Sequence, residues 1–144
     1  MAITASDSTV INAPLQDVLA VVRDVAGQPD WFPGTISAEV VDTGADGLAT
    51  RAHMVNDVKI AKDEFDIDYT HTDDTLSWKL VAPSKAQKDQ SGSWKLTDKG
   101  NGTTEATLTL SVDSSLPLPG FIQKKAINDT VKNAVKGLKK RCEG

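Results

Sequence analysis

Residues Leu116 to Arg141 read L-P-L-P-G-F-I-Q-K-K-A-I-N-D-T-V-K-N-A-V-K-G-L-K-K-R, and this closing stretch decides the fold. After the Pro119-Gly120 break, apolar residues recur at Ile122, Ala126, Ile127, Val131, Ala134, Val135, Leu138 and Cys142. That three-and-four spacing predicts one long helix with a single apolar face. The opposite face carries Lys124, Lys125, Lys132, Lys136, Lys139, Lys140 and Arg141, densest in the last turns, where the helix dipole favours positive charge. A helix of about six turns needs a large apolar surface to cover, because packing of the stripe stabilises it more than propensity does.

The rest of the chain has to supply that surface. At 144 residues it is one domain in size, read as residues 1–144 and long enough for a real core. No run of eighteen apolar residues appears, and the opening M-A-I-T-A-S-D-S lacks the order of a secretory signal. A cytoplasmic protein is the expectation. The single cysteine, Cys142, excludes a disulfide framework and any multi-cysteine metal site. Charge is uneven: residues before Leu118 hold nine basic and eighteen acidic side chains, the remainder seven and two. An acidic body repels phosphate backbones, which argues against nucleic acid as a partner. The basic helix is either a solvated face or a surface for anionic lipid.

Working back to the start, Thr4 to Asn12 predicts a strand that stops at Ala13-Pro14, where proline suits a first helical turn. Leu15, Val18, Leu19 and Val22 mark a short helix. Asp24 is placed to cap a second, briefer one, which Gly27, Pro29 and Pro33 keep short. From Thr35 onward six strands follow: Thr35 to Thr43, Leu48 to Asn56, Ile60 to Thr72, Thr75 to Pro83, Gln87 to Thr97 and Thr103 to Asp113. The connections G-A-D-G, D-V-K, Asp73-Asp74, S-K-A and D-K-G-N-G are short, so the strands are antiparallel. Phe65, Ile67, Tyr69 and His71 alternate with Glu64, Asp66, Asp68 and Thr70; Ala106, Leu108, Leu110 and Val112 alternate with Glu105, Thr107, Thr109 and Ser111. One sheet face is therefore wet, and the closing helix covers the other. A strongly twisted sheet wrapped round one helix leaves a concavity, the expected functional site.

Several stretches resemble one family: I-N-A-P-L-Q-D-V at Ile11 to Val18, D-V-A-G-Q-P-D-W-F-P at Asp24 to Pro33, L-S-W-K-L at Leu76 to Leu80 and G-S-W-K-L-T at Gly92 to Thr97. The G-N-G-T-T-E-A-T-L-T-L run and the L-P-L-P-G-F break complete the likeness. The chain is similar to the START-like polyketide cyclase/dehydrase and lipid-transport superfamily, particularly its small actinobacterial members. The resemblance implies an α+β helix-grip (Bet v 1-like) fold, in the order β-α-α-β6-α, with an apolar cavity for a lipid, fatty acid or polyketide. No cofactor is expected.

Candidate site residues follow. Trp31 and Phe32 either rim the cavity mouth or anchor the short helices. Trp78 and Trp94, in neighbouring strands, either fill the covered face or line the void beside Phe65, Ile67, Tyr69, Leu108 and Leu110. The helix offers Phe121, Ile122, Ala126, Ile127 and Thr130. Arg51 and His53 share one strand parity, and Ala52 and Met54 the other. If the first pair faces inward, Arg51 and His53, with Tyr69 and His71 of the next strand, are candidate catalytic or orienting groups; if the second does, Arg51 and His53 are surface. His71 reads as a solvated strand end, and the acidic pairs Asp63-Glu64, Asp66-Asp68 and Asp73-Asp74 as exposed carboxylates. Two histidines without ligand spacing give no metal site, and G-x-S-x-G is absent.

Three functions compete on this reading. A monomeric carrier or sensor of a hydrophobic small molecule leads, because architecture is legible and catalytic constellations are scarce. An aromatase/cyclase would instead use Arg51 to polarise a carbonyl and Tyr69 or a histidine to move protons. A regulatory or membrane-surface protein would use the basic helix.

Overall fold

The computed structural model describes residues 2–58 and 61–144. The expected turn at Lys59 and the expected strand start at Ile60 lie outside them. Strand β1 (Ile3–Ile11) leads through Pro14, which stands at the N-cap with extended backbone, into α1 (Leu15–Arg23). A 3-10 segment (Val25–Asp30) follows. Then come β2 (Thr35–Thr43), β3 (Ala49–Asp57), β4 (Lys62–His71), β5 (Thr75–Leu80), β6 (Gln87–Gly100), β7 (Thr103–Ser114) and α2 (Gly120–Glu143). The seven strands form one antiparallel sheet in the order β1-β7-β6-β5-β4-β3-β2.

Side-chain parity sorts the two faces. Ala52, Met54, Phe65, Ile67, Tyr69, Leu76, Trp94, Leu96, Leu108 and Leu110 are buried, and they share one cluster with Val18, Leu19 and Val22 of α1 and Val131, Ala134, Val135 and Leu138 of α2. Each large apolar side chain so buried contributes roughly 1.5–3 kcal/mol. The outer face is polar: Thr4 bonds Ser111, Ser6 bonds Thr109 and Ser8 bonds Thr107 across β1 and β7, at 3.0, 3.1 and 2.7 Å. Such cross-strand pairs stabilise a sheet by about 0.2–1 kcal/mol each.

Two local expectations change. Asp24 makes no side-chain cap bond to the 3-10 segment; its backbone N–H instead closes α1 on Ala20 and Val21. The D-K-G-N-G turn is tighter than expected, because β6 continues to Gly100, which pairs with Thr103. Gly100, Asn101 and Gly102 all take positive φ, at 85°, 56° and 73°, a run that only glycine and asparagine adopt at low cost.

Helix α2 is anchored at its far end. Lys139 Nζ donates to Val10 O, and Glu143 accepts from the Asn12 N–H, both at 2.7 Å. It therefore runs from the Ser114 end of β7 to the end of β1. Only its second half grips: Val131, Ala134, Val135 and Leu138 are buried, whereas Phe121 is 76% and Ile122 41% exposed. Among the described residues no helix is long and apolar enough to cross a membrane.

Candidate functional site

The concave face divides where α2 stops gripping. Toward the gripped end, His71 lies opposite Leu76, Leu76 opposite Trp94 and Trp94 opposite Leu108. Trp31 closes this end, with its ring 5.8 Å from Trp94 and 5.7 Å from Phe32. One row further on, Tyr69, Trp78, Gly92 and Leu110 face one another. The indole of Trp78 lies over Gly92, where any side chain would collide with the ring, and its Nε1 donates to Gln90 Oε1 at 2.9 Å. Trp78, Gln90 and Val112 are half-buried, as are Ile127 and Thr130 in the first half of α2.

The aromatic and aliphatic residues expected to line a void thus fall into two groups. Phe65, Ile67, Tyr69, Trp94, Leu108 and Leu110 do face inward, but none is more than 8% exposed. Side chains already pack against them, so a guest reaches them only if that packing opens. Trp78 and Ile127 remain reachable. Phe121, Ile122 and Ala126 are exposed rather than enclosed. Thr130 donates its hydroxyl to Ala126 O at 2.9 Å, which satisfies it within the helix.

Arg51 and His53 point the other way. With Ala52 and Met54 buried, the alternate residues of β3 face outward, and Arg51 makes a two-pronged ion pair with Asp68, at 2.7 and 3.1 Å. His53 Nδ1 lies 2.7 Å from Asp66, and Nε2 3.3 Å from Glu64. The hydrogen bond and charge of Asp68 raise the Arg51 pKa, and Asp66 and then Glu64 raise that of His53. Neither side chain is a polar group of the interior, and the expected inward set reduces to Tyr69 and His71.

Of the groups at this end of β4, His71 shares the strand parity of Tyr69, as the alternation predicts, and Arg23 does not follow from the sequence. Burial pushes the Tyr69 phenol well above its usual pKa, and its ring stacks on His71, centroids 6.4 Å apart. His71 is not a solvated strand end: Nε2 donates to Ala49 O at 2.6 Å, which leaves Nδ1 bare, buried and without a partner among the described residues. Arg23 reaches over from the end of α1 to donate to Thr72 O at 2.9 Å, with its Nε also buried and unpartnered. Sequence spacing gives no hint of Arg23, since its partner lies 49 residues away.

Asp63 was expected on the surface and is 1% exposed. It accepts from Ser84 Oγ at 2.7 Å, the Ala86 N–H at 3.2 Å and Gln87 Nε2 at 3.2 Å. Gln90 in turn donates to Gln87, so a polar chain runs from the buried carboxylate to the Trp78 indole. Asp63 shares parity with Phe65, and extending that alternation by one step would have placed it inward.

Two recesses indent the surface. One, of about 410 Å³, lies between α2 and the segment leading into β2, lined by Trp31, Phe32, Pro33, Thr35, Asp57 and Asn133 among others. The other, of about 470 Å³, lies over β4 and β5 and includes Asp68, Thr70, Ser77 and Lys79 of the wet face. At Cys142, burial pushes the thiol up to about 11, which leaves it a poor nucleophile.

Residues 2–143 match the family described as polyketide cyclase / dehydrase and lipid transport, and the chain belongs to it. Three solved structures share its helix-grip fold. A START superfamily protein from Mycobacterium smegmatis superposes with a TM-score of 0.87 at 18% identity, covering 96% of each chain. The Zhui aromatase/cyclase from Streptomyces sp. R1128 gives 0.77 at 14%, covering 99% of this chain and 94% of its own. A protein from Thermus thermophilus gives 0.78 at 20%, covering 99% and 97%. Identities this low establish the fold alone. No protein of curated function matches the sequence.

Proposed function

We propose that this protein binds a hydrophobic small molecule, a lipid, fatty acid or polyketide-like compound, as a carrier or sensor. The observation that carries the reading is the half-made grip of α2. Its buried stripe begins at Val131; before it Ile127 is only half-buried at the edge of the core and Phe121, Ile122 and Ala126 are exposed, while Trp78 and Val112 on the sheet are half-buried too. An apolar guest inserted beneath the first half of the helix removes both surfaces from water, at about 25 cal/mol per Å². The Trp78–Gln90–Gln87–Asp63 chain supplies polar atoms at one edge of that space, where a guest's head group would be held. Native mass spectrometry after gentle purification, with titration of fatty acids and aromatic polyketides against tryptophan emission, tests this. A guest retained in the gas phase and a saturable emission change are expected; no response to any of these ligand classes would sink it.

A second reading, polyketide aromatase/cyclase, has one observation in its favour. Tyr69 stacks on His71, which sets a burial-shifted phenol beside an imidazole whose Nδ1 has no partner among the described residues, a pair suited to enolisation and dehydration of a poly-β-ketone; Arg23 reaches only the carbonyl of the adjoining Thr72. Arg51 has no part in it. Tyr69→Phe would then cut turnover of a poly-β-ketone surrogate by roughly 10²-fold or more while binding persists. Equal turnover by both proteins would remove this chemistry.

A further inference from the structure

The corner where β7 passes into α2 is apolar, exposed and held rigid. Leu118, Phe121 and Ile122 are 37%, 76% and 41% exposed within five residues of one another. Gln123 Nε2 donates to Leu118 O at 2.8 Å and, more weakly, to Leu116 O at 3.4 Å, which ties the proline-rich lead-in to the first turn of the helix. The loop before β6 is fastened to the same corner: Ser115 donates from its N–H to Ala86 O at 2.9 Å and from its hydroxyl to Lys85 O at 3.2 Å. A fixed corner presents its aromatic ring without the ordering cost that a mobile loop would carry.

The charges round this corner are positive. Lys124 and Lys125 stand three and four residues after Phe121, one helical turn on and both exposed, and the backbone of Lys85 is tied to Ser115. Asp129 engages Lys125 at 2.7 Å and leaves Lys124 and Lys85 to set the sign. Of the nearby carboxylates, Asp89 and Asp113 face each other on the outward row of β6 and β7, turned from the helix, and Asp63 is buried and taken up by Ser84, Ala86 and Gln87. The last turns of α2 are also basic, with Lys132, Lys136, Lys140 and Arg141 exposed, but among the described residues only this corner sets large exposed apolar side chains beside its lysines on the helix.

We propose that this corner docks on an anionic membrane surface, with Phe121 and its neighbours entering the acyl boundary and the lysines resting among the head groups. An aromatic residue at the tip with lysines behind it matches the polarity gradient of a lipid interface. A second copy of the chain fits less well, because a two-fold contact through Phe121 would crowd the Lys124 and Lys125 side chains of both copies round one patch. The inference is separate from the ligand reading: it concerns where the protein sits, not what it encloses.

Vesicle sedimentation tests it, using phosphatidylcholine with and without phosphatidylglycerol at low and high salt. The full chain is expected to co-sediment with the anionic vesicles at low salt, and to lose most of that binding on neutral vesicles or at high salt. Phe121→Ser should weaken it about tenfold, and Lys124→Gln with Lys125→Gln by a similar factor. Phe121 lies outside the core, so an unchanged melting curve separates lost docking from lost fold. No binding to anionic vesicles at low salt, or equal binding by the Phe121→Ser protein, would overturn the proposal. So would protein that stays in the supernatant with extracted lipid, an outcome that supports the ligand reading while refuting docking.

Discussion

The carbonyl of Trp31 sits directly against Gly137 of α2, so close that a single methyl group at position 137 would lie far inside van der Waals contact with it. This is where the helix meets the segment that caps the aromatic cluster. Two effects oppose each other in Gly137→Ala. Helix propensity favours alanine by about 1 kcal/mol, while the clash is with backbone, which moves only if the helix or the 3-10 segment moves; such overpacking costs roughly 1–3 kcal/mol. The clash should win. We expect a lower melting temperature and altered tryptophan emission, since Trp31 contacts Trp94. A more stable alanine variant would show that this contact does not position the helix.

Asp63 is the most consequential polar residue of the interior. Replacing it with alanine leaves Ser84 Oγ, the Ala86 N–H and Gln87 Nε2 without their acceptor. Hydrogen bonds to a charged group contribute about 1.5–3 kcal/mol, so Asp63→Ala should lose roughly 3 kcal/mol or more in urea unfolding. The Ala86 amide should also exchange faster with solvent. A loss below about 1 kcal/mol would mean that the carboxylate is replaceable by water.

His53 gives a pH signature on the outer face. Its folded pKa is raised by Asp66 first and Glu64 second, so the charged form is the one the fold favours. Its contribution is fully present below the unfolded value of 6.5 and is lost as pH rises through the higher folded value. The ring is 41% exposed, and the effect on stability is correspondingly small. NMR titration of its ring protons should give a midpoint above 6.5, and Asp66→Asn should bring it down. A midpoint at or below 6.5 would contradict the geometry.

Arg51 separates the two faces cleanly. Because it pairs with Asp68 in the open, Arg51→Ala should leave ligand affinity and any turnover unchanged, with only a slight effect on stability. Loss of binding or activity in that variant would place Arg51 at the site and would require β3 to be read in the opposite parity.

The helix, the alternating strands and the wet and dry faces of β4 and β7 were legible because each rests on a period that the sequence repeats several times. Arg51 and His53 were not, since β3 carries mixed residues in both parities and only its pairing with β4 decides which face is inner. The apolar stripe of α2 predicted contact along its whole length. In its first half only Ile127 packs against the core, and that partly, since where the helix begins depends on the chain path through Leu116 to Pro119 rather than on pattern. Arg23 reaches the carbonyl of Thr72, next to His71, only through a contact between the end of α1 and the turn after β4, which no local spacing encodes.

The most direct test is where a guest goes. With a spin-labelled fatty acid added to the isotopically labelled protein, NMR broadening should concentrate on the Trp78 indole and the amides of Val112 and Ile127, and spare Arg51, His53 and the Ser/Thr rows of the outer face. Broadening confined to that outer face, or none at saturating fatty acid, would contradict a site beneath the ungripped half of the helix.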